Sequence, residues 1–233
     1  MPRETEIKTM GIMTDDNRRF VEDYANPHSW LLMADNLHEQ ATALYKGRRG
    51  SGIMTKTNAH NFILQQTMGV DKSVFLLGGF ALENAIKAFL VYENPNWISG
   101  GHLYKSLKSH KLTALQKLSK EIPHPKAHTH VLEEFESGLD SWFRYPCALT
   151  IQATIDERHL YQDLWQGYEK AMSSYGKKLG TLLDKGWHGP HKFYGRWTLQ
   201  GEFLGYKRPF LKTSRTVERV TKTAMHEDSD AQR

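Results

Sequence analysis

The chain has 233 residues, 31 Lys plus Arg against 26 Asp plus Glu, and 39% hydrophobic residues, giving a formal charge of +5. That length accommodates one large domain or a domain with extensions, and the ordinary charged and aromatic fractions exclude wholesale disorder. The one cysteine, Cys147, excludes an intrachain disulfide framework and a Cys-rich zinc site, and points to a reducing, cytoplasmic setting.

The charge is segregated along the chain. Lys46, Arg48, Arg49 and Lys56 share one stretch without an acid, and between His102 and Lys126 six lysines, Lys105, Lys108 and Lys111 among them, face only Glu121. The following stretch inverts, from Glu133 to Glu169, with Glu136 and Asp140 among its acids. Such alternation suits a chain that pairs with itself, or one that offers a basic face to an acidic partner.

In chain order, residues 1–25 read as an N-terminal extension with a short helix around Phe20, Val21 and Tyr24. Met1 to Asp16 shows no charged-then-apolar leader. Pro27 sits where a helix starts, and Trp30, Ala34, Leu37, Ala41 and Leu44 keep helical spacing up to Gly47. Gly47 to Gly52 is a loop, and Asn58 to Met68 is a candidate short helix. Asp71 then caps a long apolar helix running from Phe75 to Pro95. Glu83, Asn84 and Lys87 interrupt its apolar run, so it is not expected to span a membrane. The Gly78-Gly79 pair within it signals close approach of another helix.

A basic helix is expected from His102 or His110 to Ile122, buried along Leu112, Leu115 and Leu118 and ended by Pro123 and Pro125. The next is expected over Ala127 to Arg144, with Leu132, Phe135, Leu139 and Trp142 inward and Pro146 closing it. A last helix from Asp156 carries the stripe Leu160, Leu164, Tyr168, Ala171, Tyr175, Leu179 and Leu182. No convincing strand alternation stands before residue 190. The expected fold is all-α: an antiparallel up-and-down bundle of four to five helices over residues 26–189, with an irregular extension over 190–233 whose end is disordered. That extension interleaves Phe193, Tyr194, Trp197, Phe203, Tyr206 and Phe210 with Lys192, Arg196, Lys207 and Arg208. It suits either a strap buried across the bundle, the favoured reading, or a grip on single-stranded nucleic acid.

Three elements carry a resemblance. Gly78 to Val91 reads GGFALENAIKAFLV, Gly101 to Leu118 reads GHLYKSLKSHKLTALQKL, and Trp142 to Pro146 reads WFRYP. In order and spacing they resemble the HEPN superfamily, and within it uncharacterised bacterial members with an Arg-Tyr-Pro element. Phe80, Ala81, Leu82, Glu83 and Lys87 match the first element, His110, Leu112 and Leu115 the second, and Arg144, Tyr145 and Pro146 the third. The resemblance covers about residues 26–185. It implies a helical bundle, a homodimer, and a setting in toxin–antitoxin or phage-defence systems.

The family's catalytic branch cleaves RNA without a metal, using an Arg followed after four to six residues by a His. That His moves the proton while the Arg holds the phosphate. In this chain Leu149, Thr150 and Ile151 occupy the positions counted from Arg144, so catalysis is not expected. The candidate ligand pocket is Glu83 and Lys87, one helical turn apart, with His110, Arg144 and Tyr145; the alternative is an ordinary intrahelical ion pair, with Arg144 capping a helix end. His110 reads as a cap or packing residue before it reads as a base. Candidate nucleic-acid contacts are Arg48, Arg49, Lys105, Lys108 and Lys111. His124, His128 and His130 are close enough to suit zinc, but Pro125 and the lack of a paired carboxylate argue against a prepared site. No metal and no cofactor are expected. Three readings follow: a non-catalytic bundle binding RNA, a nucleotide or a partner protein; a ribonuclease with a rearranged site; and a structural scaffold.

Overall fold

The computed structural model describes residues 15–47, 52–57, 63–68, 71–141, 143–145, 147, 149–155 and 162–209. It is mostly helical. Its helices are α1 (Pro27–Lys46), α2 (Asp71–Glu93), α3 (Leu112–Leu118), α4 (Pro125–Asp140), α5 (Ile151–Ile155) and α6 (Gln162–Lys185). A π-helical turn, Phe20–Ala25, precedes α1, and Asn26 caps α1 by accepting from the Ser29 amide at 2.9 Å.

The all-α expectation holds approximately, with three small antiparallel hairpins added among the described residues: β1 (Gly52–Thr57) with β2 (Ile63–Met68), β3 (Trp187–His188) with β4 (Tyr194–Gly195), and β5 (Gly201–Phe203) with β6 (Tyr206–Arg208). Strand β2 stands where residues 63–68 of the short helix expected over Asn58 to Met68 would lie, residues 58–62 being outside the described residues, and Gly52 pairs with Met68 through to Thr57 with Ile63. Ile53, Thr55 and Thr57 are β-branched and suit extended backbone. Backbone pairing in a ribbon does not require the apolar–polar alternation that marks a strand with one buried face.

Helix α2 is the centre of the molecule and packs against α1, α3, α4 and α6. Its composition and length would allow it to cross a membrane, but 78% of that apolar window is buried against the rest of the chain, which makes it a core helix. The Gly78-Gly79 pair marks the close approach foreseen. A Cβ at Gly78 would stand 2.8 Å from the Phe135 ring, and one at Gly79 would stand 2.9 Å from Leu139 Cγ, both on α4. Phe75, Phe135, Phe143 and Tyr168 form one ring cluster above them, with centroids 4.8 to 6.4 Å apart.

Several boundaries differ from expectation, each for a local reason. The basic helix is broken: a 3-10 turn spans Lys105–Lys108, and α3 begins only at Leu112. Leu118 is not on its buried edge but 50% exposed. Seven residues are too few for a helix to persist alone, and carboxylates from neighbouring helices hold both ends of α3. Glu136 of α4 accepts from the Thr113 amide and hydroxyl, each at 2.8 Å. Glu93 of α2 accepts from the Ser119 hydroxyl and from the amides of Lys120 and Glu121.

Pro125 begins α4 rather than ending its predecessor. Helix α4 stops at Asp140, short of Arg144, because the chain folds back: the Phe143 amide donates to Gly138 O at 3.1 Å, and the Phe143 ring lies over Gly138, where no side chain would fit. Trp142, Pro146, residues 156–161 with Leu160, and Phe210 lie outside the described residues. In α1 Ala34 and Ala41 are buried as expected, Leu31 and His38 are buried beside them, Trp30 and Leu37 are partly buried against the core, and Leu44 is exposed.

The described part of the extension is a strap. Leu199 and Leu204 are buried, and Phe193, Trp197 and Phe203 pack against the core. Trp197 stacks on His28 of α1 at 5.4 Å, and Arg208 pairs with Asp184 of α6. Gly79→Val is expected to cost about 1–3 kcal/mol in urea unfolding, since the added methyls collide with Leu139 and overpacking outweighs any gain in helix propensity.

Candidate functional site

One turn of α2 places Glu83 and Lys87 side by side, both buried, with Lys87 Nζ donating to Glu83 Oε1 at 2.6 Å. The apolar surroundings strip both groups of water, so each depends on the other for its electrostatic stabilisation. The Lys87 ammonium also lies over the Trp30 ring of α1, 5.7 Å from its centroid. The second carboxylate oxygen of Glu83 leaves the core and meets His110, with Nδ1 to Oε2 at 2.8 Å.

His110 differs from its partners in being 54% exposed at the side chain. A carboxylate only accepts, so Nδ1 carries the proton and Nε2 is the nitrogen left for an incoming group. The Phe80 ring meets the imidazole edge-on at 6.4 Å, supporting its orientation. This ordering of carboxylate, imidazole and solvent fixes a tautomer and an aim, and lets His110 accept or donate a proton or hydrogen bond at a phosphate or hydroxyl. The break in the basic helix is the geometric condition for it: residues 109–111 are extended, which lets His110 reach down to α2.

The other sequence-derived candidates are placed as follows. Arg144 and Tyr145 are exposed beside the N-terminal end of α2. There Lys72 Nζ donates to Tyr145 O at 3.4 Å, and the Arg144 guanidinium lies 5.8 Å from the Tyr145 ring centroid. Eleven residues of helix, ~16 Å, separate that end from Glu83, and no contact joins Arg144 to Glu83 or to an imidazole among the described residues. Lys105 and Lys108 are exposed in the 3-10 turn just before His110, with no ion-pair partner among the described residues. Lys111 pairs with Asp140 of α4. Arg48 and Arg49 lie outside the described residues. His128 is buried, 3.3 Å from Ser174 Oγ and edge-on to Tyr175, whereas His130 faces Glu134 at 3.8 Å.

Sequence reasoning missed a second polar cluster, between α1, α6 and the β5–β6 hairpin. His38, 6% exposed, shares a 2.9 Å hydrogen bond between Nδ1 and the Tyr168 hydroxyl. Burial pushes its pKa down to about 4, so the imidazole is neutral at pH 7. Asp35 accepts from the Leu204 amide at 2.6 Å and so pins the hairpin turn to α1, while burial pushes its carboxyl upward. The available signal was position alone: His38 stands four residues after Ala34 and three before Ala41, on the buried stripe.

Comparison of the chain with protein-family models, with curated proteins and with solved structures returns no match.

Lys87→Ala is expected to destabilise by about 3–5 kcal/mol in chemical denaturation, because it leaves the Glu83 carboxylate buried without its cation; the double change Glu83→Leu, Lys87→Met recovers most of that loss. A separate expectation concerns acid. His38 titrates near 6.5 when unfolded and near 4 when folded, so its contribution is fully present above pH 6.5 and is lost as pH falls toward 4. The loss amounts to about 3 kcal/mol for this group. His28 and His128, also pushed down by burial, act in the same direction. Unfolding free energies measured from pH 7 to pH 4 should fall more steeply for the wild type than for His38→Gln.

Proposed function

We propose that this chain is a non-catalytic, HEPN-like helical domain that binds RNA through the face formed by His110, Lys105 and Lys108. The observation that carries this reading is the half-exposed imidazole, held by a buried ion pair and preceded by two lysines with no carboxylate partner among the described residues. RNA offers what that face lacks: phosphate charge for the lysines and 2′-hydroxyl donors for the free Nε2 of the imidazole. Arg144 stands apart from His110, so the arginine and histidine that a metal-free ribonuclease of the resembled family brings together are not adjacent within one chain. The proposal includes a homodimer working in the cytoplasm, in a toxin–antitoxin or phage-defence setting, as the resemblance implies.

The test incubates labelled cellular RNA with wild type, His110→Ala, the Lys105→Ala/Lys108→Ala double variant and Arg144→Ala, scoring retention and cleavage together. Wild type is expected to retain RNA without cutting it. His110→Ala should weaken retention about ten-fold, and loss of the two lysines should lower the slope of log affinity against log salt by about 1.4. Arg144→Ala should retain RNA normally. Cleavage lost on His110→Ala would instead make the protein a ribonuclease, and neither retention nor cleavage would leave a scaffold.

A further inference from the structure

The strap buries one side and presents the other. From Phe193 to Trp197 its residues alternate: Phe193, Gly195 and Trp197 face the core, and Tyr194 and Arg196 face outward. Gly195 allows this, since a Cβ there would stand 2.3 Å from the Trp197 ring. Across the hairpin Tyr194 pairs with His188, ring centroids 4.8 Å apart, and its ring edge lies against Gly186. The ring is thus fixed in place, yet 52% exposed.

The tip of the β3–β4 hairpin breaks a local rule. The Phe193 amide donates to Pro190 O at 3.1 Å, closing a two-residue turn in which His191 (φ +58°) and Lys192 (φ +62°) are both left-handed. Such a turn calls for Asn-Gly, because a Cβ is disfavoured at positive φ. An exposed imidazole and an exposed ammonium occupy it instead, and strain held at such residues points to a ligand rather than to stability.

The acids that flank this surface are already engaged. The sequence has none between Asp184 and Glu202, which pair with Arg208 and Lys207. Pro190–Lys192 packs against the 3-10 segment Pro95–Gly101, and Trp97 of that segment stacks on Tyr104 at 5.1 Å, next to Lys105, Lys108 and His110. That second stretch has no acid between Glu93 and Glu121; Glu93 holds Ser119, and Glu121 pairs with Lys178. The Phe20–Ala25 turn also touches Pro95–Gly101, and its Glu22 and Asp23 face Arg18 and Arg19. Cations along an acid-free path, with exposed rings at Tyr104 and Tyr194, suit a single strand of RNA: phosphates meet the cations and unstacked bases meet the rings. A duplex offers the charge but keeps its bases from the rings.

We propose that the β3–β4 hairpin is a second contact for RNA bound at the His110 face and selects single strands, Tyr194 stacking a base while Lys192 and Arg196 hold its phosphates. This extends the RNA-binding reading above and rests on it.

The test measures fluorescence anisotropy of a labelled RNA of about 12 nucleotides, single-stranded or annealed to its complement, with the full chain. The single strand is expected to bind at least about ten-fold more tightly than the duplex. Tyr194→Leu should weaken single-strand binding about ten-fold and leave duplex binding unchanged, whereas Tyr194→Phe should retain both. His191→Asn/Lys192→Gly should raise the melting temperature by relieving the turn, while lowering the slope of log affinity against log salt by about 0.7. A purely structural hairpin would gain stability without losing affinity. Wild-type binding indifferent to the Leu and turn variants, or equal for strand and duplex, would overturn this inference and leave the His110 reading standing. Binding weakened by those variants but indifferent to His110→Ala would support the hairpin contact and overturn the His110 reading instead. No RNA binding by wild type would overturn both.

Discussion

The buried ion pair between Glu83 and Lys87 is the constraint around which the central helix is organised. A carboxylate taken out of water needs its lone pairs occupied, and α2 meets that demand from two directions: Lys87 within the helix and His110 from the segment preceding α3. Trp30 covers the lysine from α1. Three elements thus converge on one charge. Removing it outright is tolerable in principle, whereas removing only one partner leaves an unpaired ion in apolar surroundings. The pair therefore fixes where the 102–111 segment must lie more firmly than it adds to stability.

The same helix settles α3 at its other end. Seven residues cannot sustain a helix in water, yet α3 is bounded by Glu136 at the Thr113 amide and hydroxyl, His110 before it, and Glu93 after it. Carboxylates on α2 and α4 therefore substitute for propensity and set the length of the element. Part of the segregated charge in the sequence is spent in this way. Lys111 meets Asp140, so the basic and acidic stretches neutralise one another at that point of the fold. The lysines at 105 and 108 are outside that exchange, which is why the basic surface beside His110 persists.

The aromatic residues divide the molecule into two packed regions. Phe75, Phe135, Phe143 and Tyr168 fill the space over the Gly78-Gly79 contact, where the absence of side chains lets α4 approach α2. Trp187, Phe193 and Trp197 belong to the strap and close over α1 through His28. Asp35 and His38 tie the hairpin to that same helix, so the strap is anchored by polar contacts at the turn and by ring packing along its length.

Helical periodicity, capping residues and breakers were local enough to be read from the chain. They located α1, α2, α4 and α6, where Tyr168, Ala171, Tyr175, Leu179 and Leu182 of the expected stripe are buried. They also marked Glu83 and Lys87 as charges out of place in an apolar helix, and Gly78-Gly79 as a point of close approach. Sequence spacing did not decide which distant groups would complete those features. His110 joins Glu83, 27 residues away, while Arg144 does not, because Phe143 folds back over Gly138 and ends α4 early. The β1–β2 hairpin lacks the alternation of a half-buried strand, and His38 is accommodated on the buried face because Tyr168, 130 residues later, shares a hydrogen bond with it. Backbone preference and periodicity act over one or two turns and are written in the chain. Satisfying a buried polar group depends on which surfaces meet, and only the packed tertiary structure decides that.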